Sequence, residues 1–196
     1  MIIQRVNWGA VASSAWYEVI KRDFVAGEYV WTGFDYIGEP TPWNGTGKGA
    51  QGTWPSPKNS YFGIIDTAGF PKDSYYFYQS QWNDEVNTLH ILPAWNEDAV
   101  KKDSSGKVPV VVYTDAKKVE LFFTDAKTGD KKSLGTKEFT QKQSNTQGYT
   151  YQYYEGTDKS GTEHKNLYLT WQVPYKAGTI SAVAYGQDGQ KLQRKN

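Results

Sequence analysis

Near its start the chain reads Glu28-Tyr-Val-Trp-Thr-Gly-Phe-Asp-Tyr-Ile-Gly-Glu-Pro-Thr-Pro-Trp43. Over residues 28–36, successive side chains of an extended chain point to opposite faces, and both faces are largely apolar. A strand that is apolar on both faces is typical of the parallel sheet of an α/β fold. Polar residues follow at its carboxyl end, which is where α/β barrels hold their active sites. This stretch therefore predicts one buried strand of a larger sheet.

A helix is predicted on each side of this strand. The first is capped by Ser13 or Ser14, and its apolar residues follow the i, i+3, i+4 spacing. The second begins near Pro71 and carries Tyr75, Tyr78 and Trp82 on one face. One strand with two helices cannot close a hydrophobic core by itself. Residues 1–87 are therefore predicted to be part of something larger, followed by a complete small domain.

Residues 88–196 show a different rhythm of short β segments separated by turns. Seven or eight such segments at regular spacing predict an antiparallel, immunoglobulin-like β-sandwich. Alternation at Leu167, Leu169 and Trp171 indicates a half-buried strand, with Trp171 as a core anchor. The expected fold class is thus α+β and mostly β. The predicted strands are 88–93, 108–113, 119–124, 132–139, 149–154, 166–173 and 179–185, with a turn at 127–130 and a return at 188–192.

The composition excludes several classes of function. The formal net charge of the 196 residues is +1, and no basic block favours nucleic acid. Cysteine is absent, which excludes disulfides and thiolate metal sites. No apolar run approaches the ~20 residues of a membrane span, and the first residues show no targeting signal. Aromatic residues reach 16%, which suits sugar binding but also an aromatic β core.

Asp35 and Glu39 are the candidate acids, because they follow the predicted strand at its carboxyl end. Paired carboxylates are the usual catalysts of glycoside hydrolysis, but such pairs normally come from different strands. The alternative is that Asp35 binds neighbouring backbone and Glu39 is a solvated loop acid. Trp43 lies in the Gly- and Pro-rich loop and predicts either a sugar contact or a domain contact. The two histidines, at 90 and 164, have no zinc spacing, so no metal or cofactor is expected.

Two segments carry a family resemblance. Trp31-Thr-Gly-Phe-Asp-Tyr-Ile-Gly-Glu-Pro-Thr-Pro-Trp43 and Ser60-Tyr-Phe-Gly-Ile-Ile-Asp-Thr-Ala-Gly-Phe-Pro-Lys-Asp73 resemble bacterial β-galactosidases of glycoside hydrolase family 2. The likeness is greatest to the large surface enzymes of streptococci and related Gram-positive bacteria. It implies that residues 1–87 are the C-terminal piece of a (β/α)₈ barrel, with the last strand and its flanking helices. Residues 88–196 are then the β-sandwich domain that follows.

The resemblance also implies a retaining mechanism with two glutamates, both upstream of this chain. No glutamate here matches either catalytic motif, so the chain is predicted to be an inactive fragment of a β-galactosidase. Trp31 matches the tryptophan that forms part of the galactose-binding wall. Asp35, Glu39 and Trp43 are the further candidate substrate-binding residues, and no catalytic residue is assigned.

Two other functions stay open at this point. The chain could be a non-catalytic structural module of a multidomain surface protein. It could also be a carbohydrate-binding module, if Tyr151, Tyr153 and Tyr154 form an exposed platform. On the resemblance, the partners are a β-galactoside and the upstream domains of the parent chain, with no nucleic acid and no membrane span. The parent protein is expected to be secreted or held at the surface of a Gram-positive cell.

Overall fold

A computed structural model describes residues 12–38, 59–143, 150–157, 163–186 and 188–195. The described chain is mostly β with few helices, as the sequence predicts. All pairings between its named strands are antiparallel. In chain order the elements are α1 (Ala12–Ile20), β1 (Tyr36–Ile37), β2 (Asn59–Ser60), α2 (Asp73–Trp82), β3 (Leu89–Leu92), β4 (Lys107–Thr114), β5 (Lys118–Asp125), β6 (Lys131–Glu138), β7 (Thr140–Gln143), β8 (Thr150–Thr157), β9 (Glu163–Asn166), β10 (Leu169–Pro174), β11 (Gly178–Tyr185) and β12 (Lys191–Lys195).

The chain divides into two compact units. Residues 28–75 form one, here called the small unit, and residues 1–27 together with 76–196 form the other, here called the sandwich unit. The domain boundary expected between residues 87 and 88 stays a prediction.

Two antiparallel sheets share the main core of the sandwich unit. One has the strand order β10-β4-β3 and the other the order β12-β11-β5-β6. Val110 of β4, Leu121 of β5 and Ala182 of β11 lie in this core and are fully buried. Trp171 of β10 is also in the core, 5% exposed, and its Nε1–H donates to the carbonyl oxygen of Gly135 at 3.3 Å. Trp171 is thus the core anchor that the strand alternation predicts.

The turn predicted at 127–130 joins β5 to β6. The N–H of Gly129 donates to the carbonyl oxygen of Asp125 at 3.0 Å, and Gly129 has a φ of 76°, which favours glycine. The Asp125 carboxylate accepts from the N–H of Lys127 at 2.8 Å and of Thr128 at 3.2 Å. These two hydrogen bonds lower the pKa of Asp125, because they favour its charged form.

A third sheet, β7-β8-β9, carries the helix α1. The ring of Tyr17 lies edge-on to Tyr151 and Tyr153, with centroid distances of 6.3 and 6.5 Å. The Ser13 hydroxyl, predicted as a helix cap, lies inside α1 and accepts a hydrogen bond from the N–H of Leu167. Tyr151 and Tyr153 are only 8% and 7% exposed, so α1 covers the platform that a carbohydrate-binding module would need.

The helix α2 packs its second half within the sandwich unit. Phe77, 1% exposed, lies edge-on to Tyr113 of β4 at 5.5 Å. The ring centroid of Trp82 lies 4.5 Å from that of Tyr78 and 5.3 Å from that of Trp16 in α1, yet Trp82 remains 45% exposed. The predicted face of Tyr75, Tyr78 and Trp82 is therefore only partly the packing face, because Phe77 is the most buried residue of the helix.

The small unit contains a short parallel pairing that lies outside its named strands. The N–H of Thr32 donates to the carbonyl oxygen of Phe62, and the carbonyl oxygen of Thr32 accepts from the N–H of Ile64. The N–H of Ile65 donates to the carbonyl oxygen of Gly33 at 2.9 Å, and the N–H of Asp35 donates to the carbonyl oxygen of Ile65 at 2.8 Å. Residues 32–35 thus run parallel to residues 62–65, with a bridge between Phe34 and Ile65. Beyond it, β1 and β2 pair in the antiparallel sense.

The predicted strand over 28–36 is shorter than expected and uncovered. Within the described residues, only Tyr36 and Ile37 of this region lie in a named strand. Tyr29 and Trp31 on one predicted face are 104% and 73% exposed, and Phe34 on the other is 60% exposed, so the expected cover is absent from the part of the chain that the structure describes. A strand of a parallel sheet takes its cover from neighbouring strands and helices, and the described residues of the small unit supply one short neighbour.

Candidate functional site

The small unit exposes large apolar side chains at the place where the sequence predicts substrate contacts. Trp31 is 73% exposed, and its indole lies edge-on to the ring of Tyr36 at 6.5 Å and 89°. The peptide bond between Trp31 and Thr32 is cis. Other exposed apolar side chains of this unit are Tyr29, Phe34, Ile37, Tyr61 and Phe70. An indole with a free face is available for stacking on a flat, weakly polar ligand.

Asp35 occupies a different environment from Trp31. Its side chain is 3% exposed and forms an ion pair with Lys72, with 2.5 Å between Nζ and Oδ1. The N–H of Gly63 donates to the same oxygen at 2.8 Å. The carboxylate is therefore held by groups of the small unit itself, which are distant from Asp35 in sequence.

Gly63 permits this close packing of backbone against backbone. A Cβ atom on Gly63 would lie 2.1 Å from the nitrogen of Asp35 and 2.3 Å from the carbonyl carbon of Phe34. Both distances are far below van der Waals contact, and backbone atoms cannot move aside as a flexible side chain can. Sequence reasoning missed the roles of Gly63 and Lys72, although a glycine inside a β-like pattern is a signal of close backbone approach.

Two of the predicted site residues, Glu39 and Trp43, lie outside the described residues. Asp66, which the sequence favours as a turn residue, accepts hydrogen bonds from the N–H groups of Ala68 and Phe70, both at 2.9 Å. Its carboxylate therefore stabilises the turn after the parallel pairing. Trp31 and Asp35 thus lie in one short segment, but the side chain of Trp31 is exposed and that of Asp35 is buried.

His90 packs against two tyrosine rings. Its ring stacks on that of Tyr76 at 4.0 Å and 11°, with Tyr113 beyond it at 6.4 Å. Among the described residues, no group of three or more His, Cys, Asp or Glu side chains could hold a metal ion. Neither described helix is long and apolar enough to cross a membrane.

Comparison with protein families identifies part of the sandwich unit. Residues 105–193 match the domain of unknown function DUF4982. The match begins just before β4 and ends in β12, so it covers both sheets of the main core apart from β3.

Curated relatives extend the likeness over most of the chain. A β-galactosidase of Bacteroides ovatus, named BoGH2A, is 35% identical over 179 residues, which are 91% of this chain and 16% of the relative. A protein of Formosa agariphila provisionally named a β-glucuronidase is 35% identical over 177 residues, 89% of this chain and 13% of the relative. The chain thus spans about a sixth of the length of these relatives or less.

A solved structure supports the same relation. A β-glycosidase from Bacteroides vulgatus is 30% identical, with a TM-score of 0.61, and the aligned part is 94% of this chain and 18% of that one. The relatives are named as glycoside-cleaving enzymes, and this chain is similar to one segment of them, which supports the predicted relation to family 2. The names of these relatives include both β-galactosidase and β-glucuronidase activity. The predicted likeness to streptococcal enzymes stays a prediction.

Proposed function

Because the chain is homologous to a segment of family 2 glycoside hydrolases and carries a DUF4982 domain, we propose that it is the end of the (β/α)₈ barrel and the following immunoglobulin-like sandwich of such an enzyme. The longer enzyme cleaves terminal β-galactosides with retention, through two glutamates outside this chain. This segment supplies one wall of the substrate site and a structural domain, and it is inactive alone.

The exposed indole of Trp31 carries this proposal. A side chain of that size that is 73% exposed is costly to leave in water unless a ligand or another part of the protein covers it. Its flat face suits the apolar face of a pyranose ring, and the edge-on contact with Tyr36 restricts its orientation. Glu39 and Trp43 follow Trp31 in the sequence and are proposed as further substrate contacts.

The barrel part of the proposal is supported by the parallel pairing in the small unit. Residues 32–35 and 62–65 run in the same direction, as neighbouring barrel strands do. Tyr29, Phe34 and Ile37 are 104%, 60% and 80% exposed, and adjacent strands and helices of a complete barrel would bury them. The upstream domains of the longer chain are thus its proposed partners.

The identity of the sugar is the finer part of the proposal. A terminal β-galactoside is the first candidate, because the relative BoGH2A is a β-galactosidase. A β-glucuronide is the second, because the relative from Formosa agariphila is provisionally named a β-glucuronidase. The two sugars differ at C6, where a glucuronide carries a carboxylate. A matched pair of chromogenic β-galactoside and β-glucuronide substrates therefore separates the candidates.

The test uses the chain alone and a chimera. In the chimera, this chain replaces the matching 179 residues of the Bacteroides ovatus enzyme. We expect no turnover above buffer by the chain alone, since it lacks the glutamate pair, and measurable β-galactoside hydrolysis by the chimera. Turnover by the chain alone that is lost in Asp35→Asn would overturn the proposal and point to a local acid pair. A secreted or cell-surface location is part of the proposal and is tested by fractionating the source cells.

A further inference from the structure

The carboxylate of Asp35 joins two parts of the small unit that are far apart in sequence. Lys72, which lies 37 residues further along the chain, donates from Nζ to Oδ1 at 2.5 Å. The same Nζ donates to the carbonyl oxygen of Tyr61 at 3.3 Å, so it bridges the carboxylate and the neighbouring segment. The N–H of Gly63 supplies a third link, at 2.8 Å to Oδ1. Removal of either charged partner leaves the other with an unsatisfied charge in a largely buried place.

These links lie directly beside the backbone that carries Trp31. Thr32, the next residue, donates to Phe62 at 3.3 Å and accepts from the N–H of Ile64 at 3.0 Å. Asp35 closes the pairing with its own N–H, which donates to the carbonyl oxygen of Ile65 at 2.8 Å. The side chain and the main chain of Asp35 therefore fix the same four-residue segment from two directions.

We propose that Asp35 is a positioning residue and that it does not contact the sugar. With Lys72 and Gly63 it clamps residues 32–35 to residues 61–65 and so sets the direction of the exposed indole of Trp31. The use of that indole in sugar binding rests on the proposed function, whereas the clamp rests on the contacts of the small unit. A side chain that is 3% exposed, with two donors on Oδ1, offers no open face to a sugar hydroxyl.

The clamp requires residues 34–35 to lie very close to the backbone of Gly63. Any side chain at residue 63 would push the backbone of residues 34–35 away, since a Cβ would lie 2.1 Å from the Asp35 nitrogen. The Oδ1 atom would then move out of reach of Lys72. Gly63→Ala is therefore expected to have the same effect on Trp31 as loss of the ion pair.

The test labels the whole chain with 5-fluorotryptophan and follows the fluorine resonance of Trp31. The chain has eight tryptophans, and Trp31→Phe assigns the signal. We expect Lys72→Met and Asp35→Asn to shift or broaden the Trp31 resonance and to leave that of the core residue Trp171 unchanged. Amide exchange at Ile64 and Ile65 should become about tenfold to a hundredfold faster, as loss of a hydrogen bond to a charged group implies. Lys72→Arg keeps the charge and should restore both readings.

Lys102→Met is the matched control, because it removes a lysine from the exposed ion pair with Glu97, whose N–O distance is 2.8 Å. An unmoved Trp31 resonance in Asp35→Asn and Lys72→Met, or an equal shift in Lys102→Met, would overturn the clamp. Titration of the unchanged chain with methyl β-galactoside tests the proposed function separately. If the sugar does not shift the Trp31 resonance but the Asp35 and Lys72 variants do, Trp31 does not bind the sugar. The proposed function would then be contradicted, whereas the positioning role of Asp35 would be supported.

Discussion

The hydroxyl of Ser13 accepts a hydrogen bond from the backbone N–H of Leu167 at 2.9 Å, although 154 positions separate the two residues. Leu167 is fully buried and Ser13 is 4% exposed, so water cannot replace either partner. This bond attaches α1 to the segment between β9 and β10. Helix α1 is thus held within the sandwich unit by a specific polar contact as well as by the packing of Tyr17 on Tyr151 and Tyr153.

Ser13→Ala is expected to destabilise the sandwich unit by about 1–3 kcal/mol, because it leaves the buried N–H of Leu167 without an acceptor. The matched control is Ser14→Ala, on the exposed side of the same helix, where the change should stay within about 0.5 kcal/mol. Urea unfolding of the purified chain measures both. Equal midpoints for the two variants would contradict the role of this hydrogen bond.

A chain truncated to residues 88–196 is expected to melt cooperatively, since its two main sheets form a core of their own. It should bind a hydrophobic dye such as ANS more strongly than the whole chain, because Tyr151 and Tyr153 lose the cover of Tyr17. Tyr17→Ala in the whole chain should raise dye binding in the same sense. A non-cooperative melt or a helical circular-dichroism spectrum of the truncated chain would show that the sandwich does not fold alone.

Trp31→Phe and Trp171→Phe make the same chemical change in opposite environments. Trp171 is 5% exposed and donates to Gly135, so its replacement should cost about 1–3 kcal/mol of stability. Trp31 is 73% exposed, and its replacement should change stability by less than about 0.5 kcal/mol. In the chimera, Trp31→Phe should lower kcat/KM for the β-galactoside by roughly tenfold or more, by analogy with base–aromatic stacking. A normal kcat/KM would remove Trp31 from the candidate site.

Asp115→Asn is expected to stabilise the chain at neutral pH. Burial raises the pKa of the Asp115 carboxyl above its ordinary value of 3.8, and the charge of Asp84 adds to this. The N–H of Thr88, which donates to Oδ1 at 2.5 Å, opposes the rise but does not cancel it. The folded chain therefore binds this proton more tightly than the unfolded chain, so the contribution of Asp115 to stability falls as pH rises through its folded pKa.

Asparagine keeps the acceptor for Thr88 and removes the charge. The advantage of the variant over the parent should be present at pH 7 and vanish below the ordinary pKa of 3.8, where the carboxyl is protonated in both states. Urea midpoints over that range measure it. The control is Asp130→Asn on the exposed turn. A variant that is less stable than the parent at pH 7 would contradict the direction of this pKa shift.

The strand pattern of the sandwich unit could be predicted because it is local. The alternation around Val119–Thr124 sets the inward and outward faces of β5 without reference to its neighbours. One predicted strand, 166–173, proved to be two, since the chain leaves the sheet of β8 and β9 after Asn166 and enters another at Leu169. The break falls at Leu167, whose N–H is bound by Ser13. The strand β7, with four exposed polar residues, carries no alternation and was not predicted.

The candidate site was less accessible to sequence reasoning. Asp35 could be named from the end of an apolar segment and Trp31 from the family resemblance, but exposure depends on which neighbours are present, and residues 28–31 lie in no named strand. The partner of Asp35 could not be found from spacing, because Lys72 is 37 positions away and each residue has an ordinary local explanation. Long-range ion pairs leave no periodic signal in a sequence.

The attachment of α1 to Leu167 has a consequence for synthesis of the chain on the ribosome. The helix emerges first, but its hydrogen-bond donor is translated 154 residues later. At ~5–20 residues per second this interval is roughly 8–30 s. During that time Ser13 and the apolar face of α1 have no native partner in β8 or β9. The contact of α1 with Leu167 therefore waits for synthesis of the later strands, and cotranslational protection of α1 by this contact should appear only after Leu167 has left the exit tunnel.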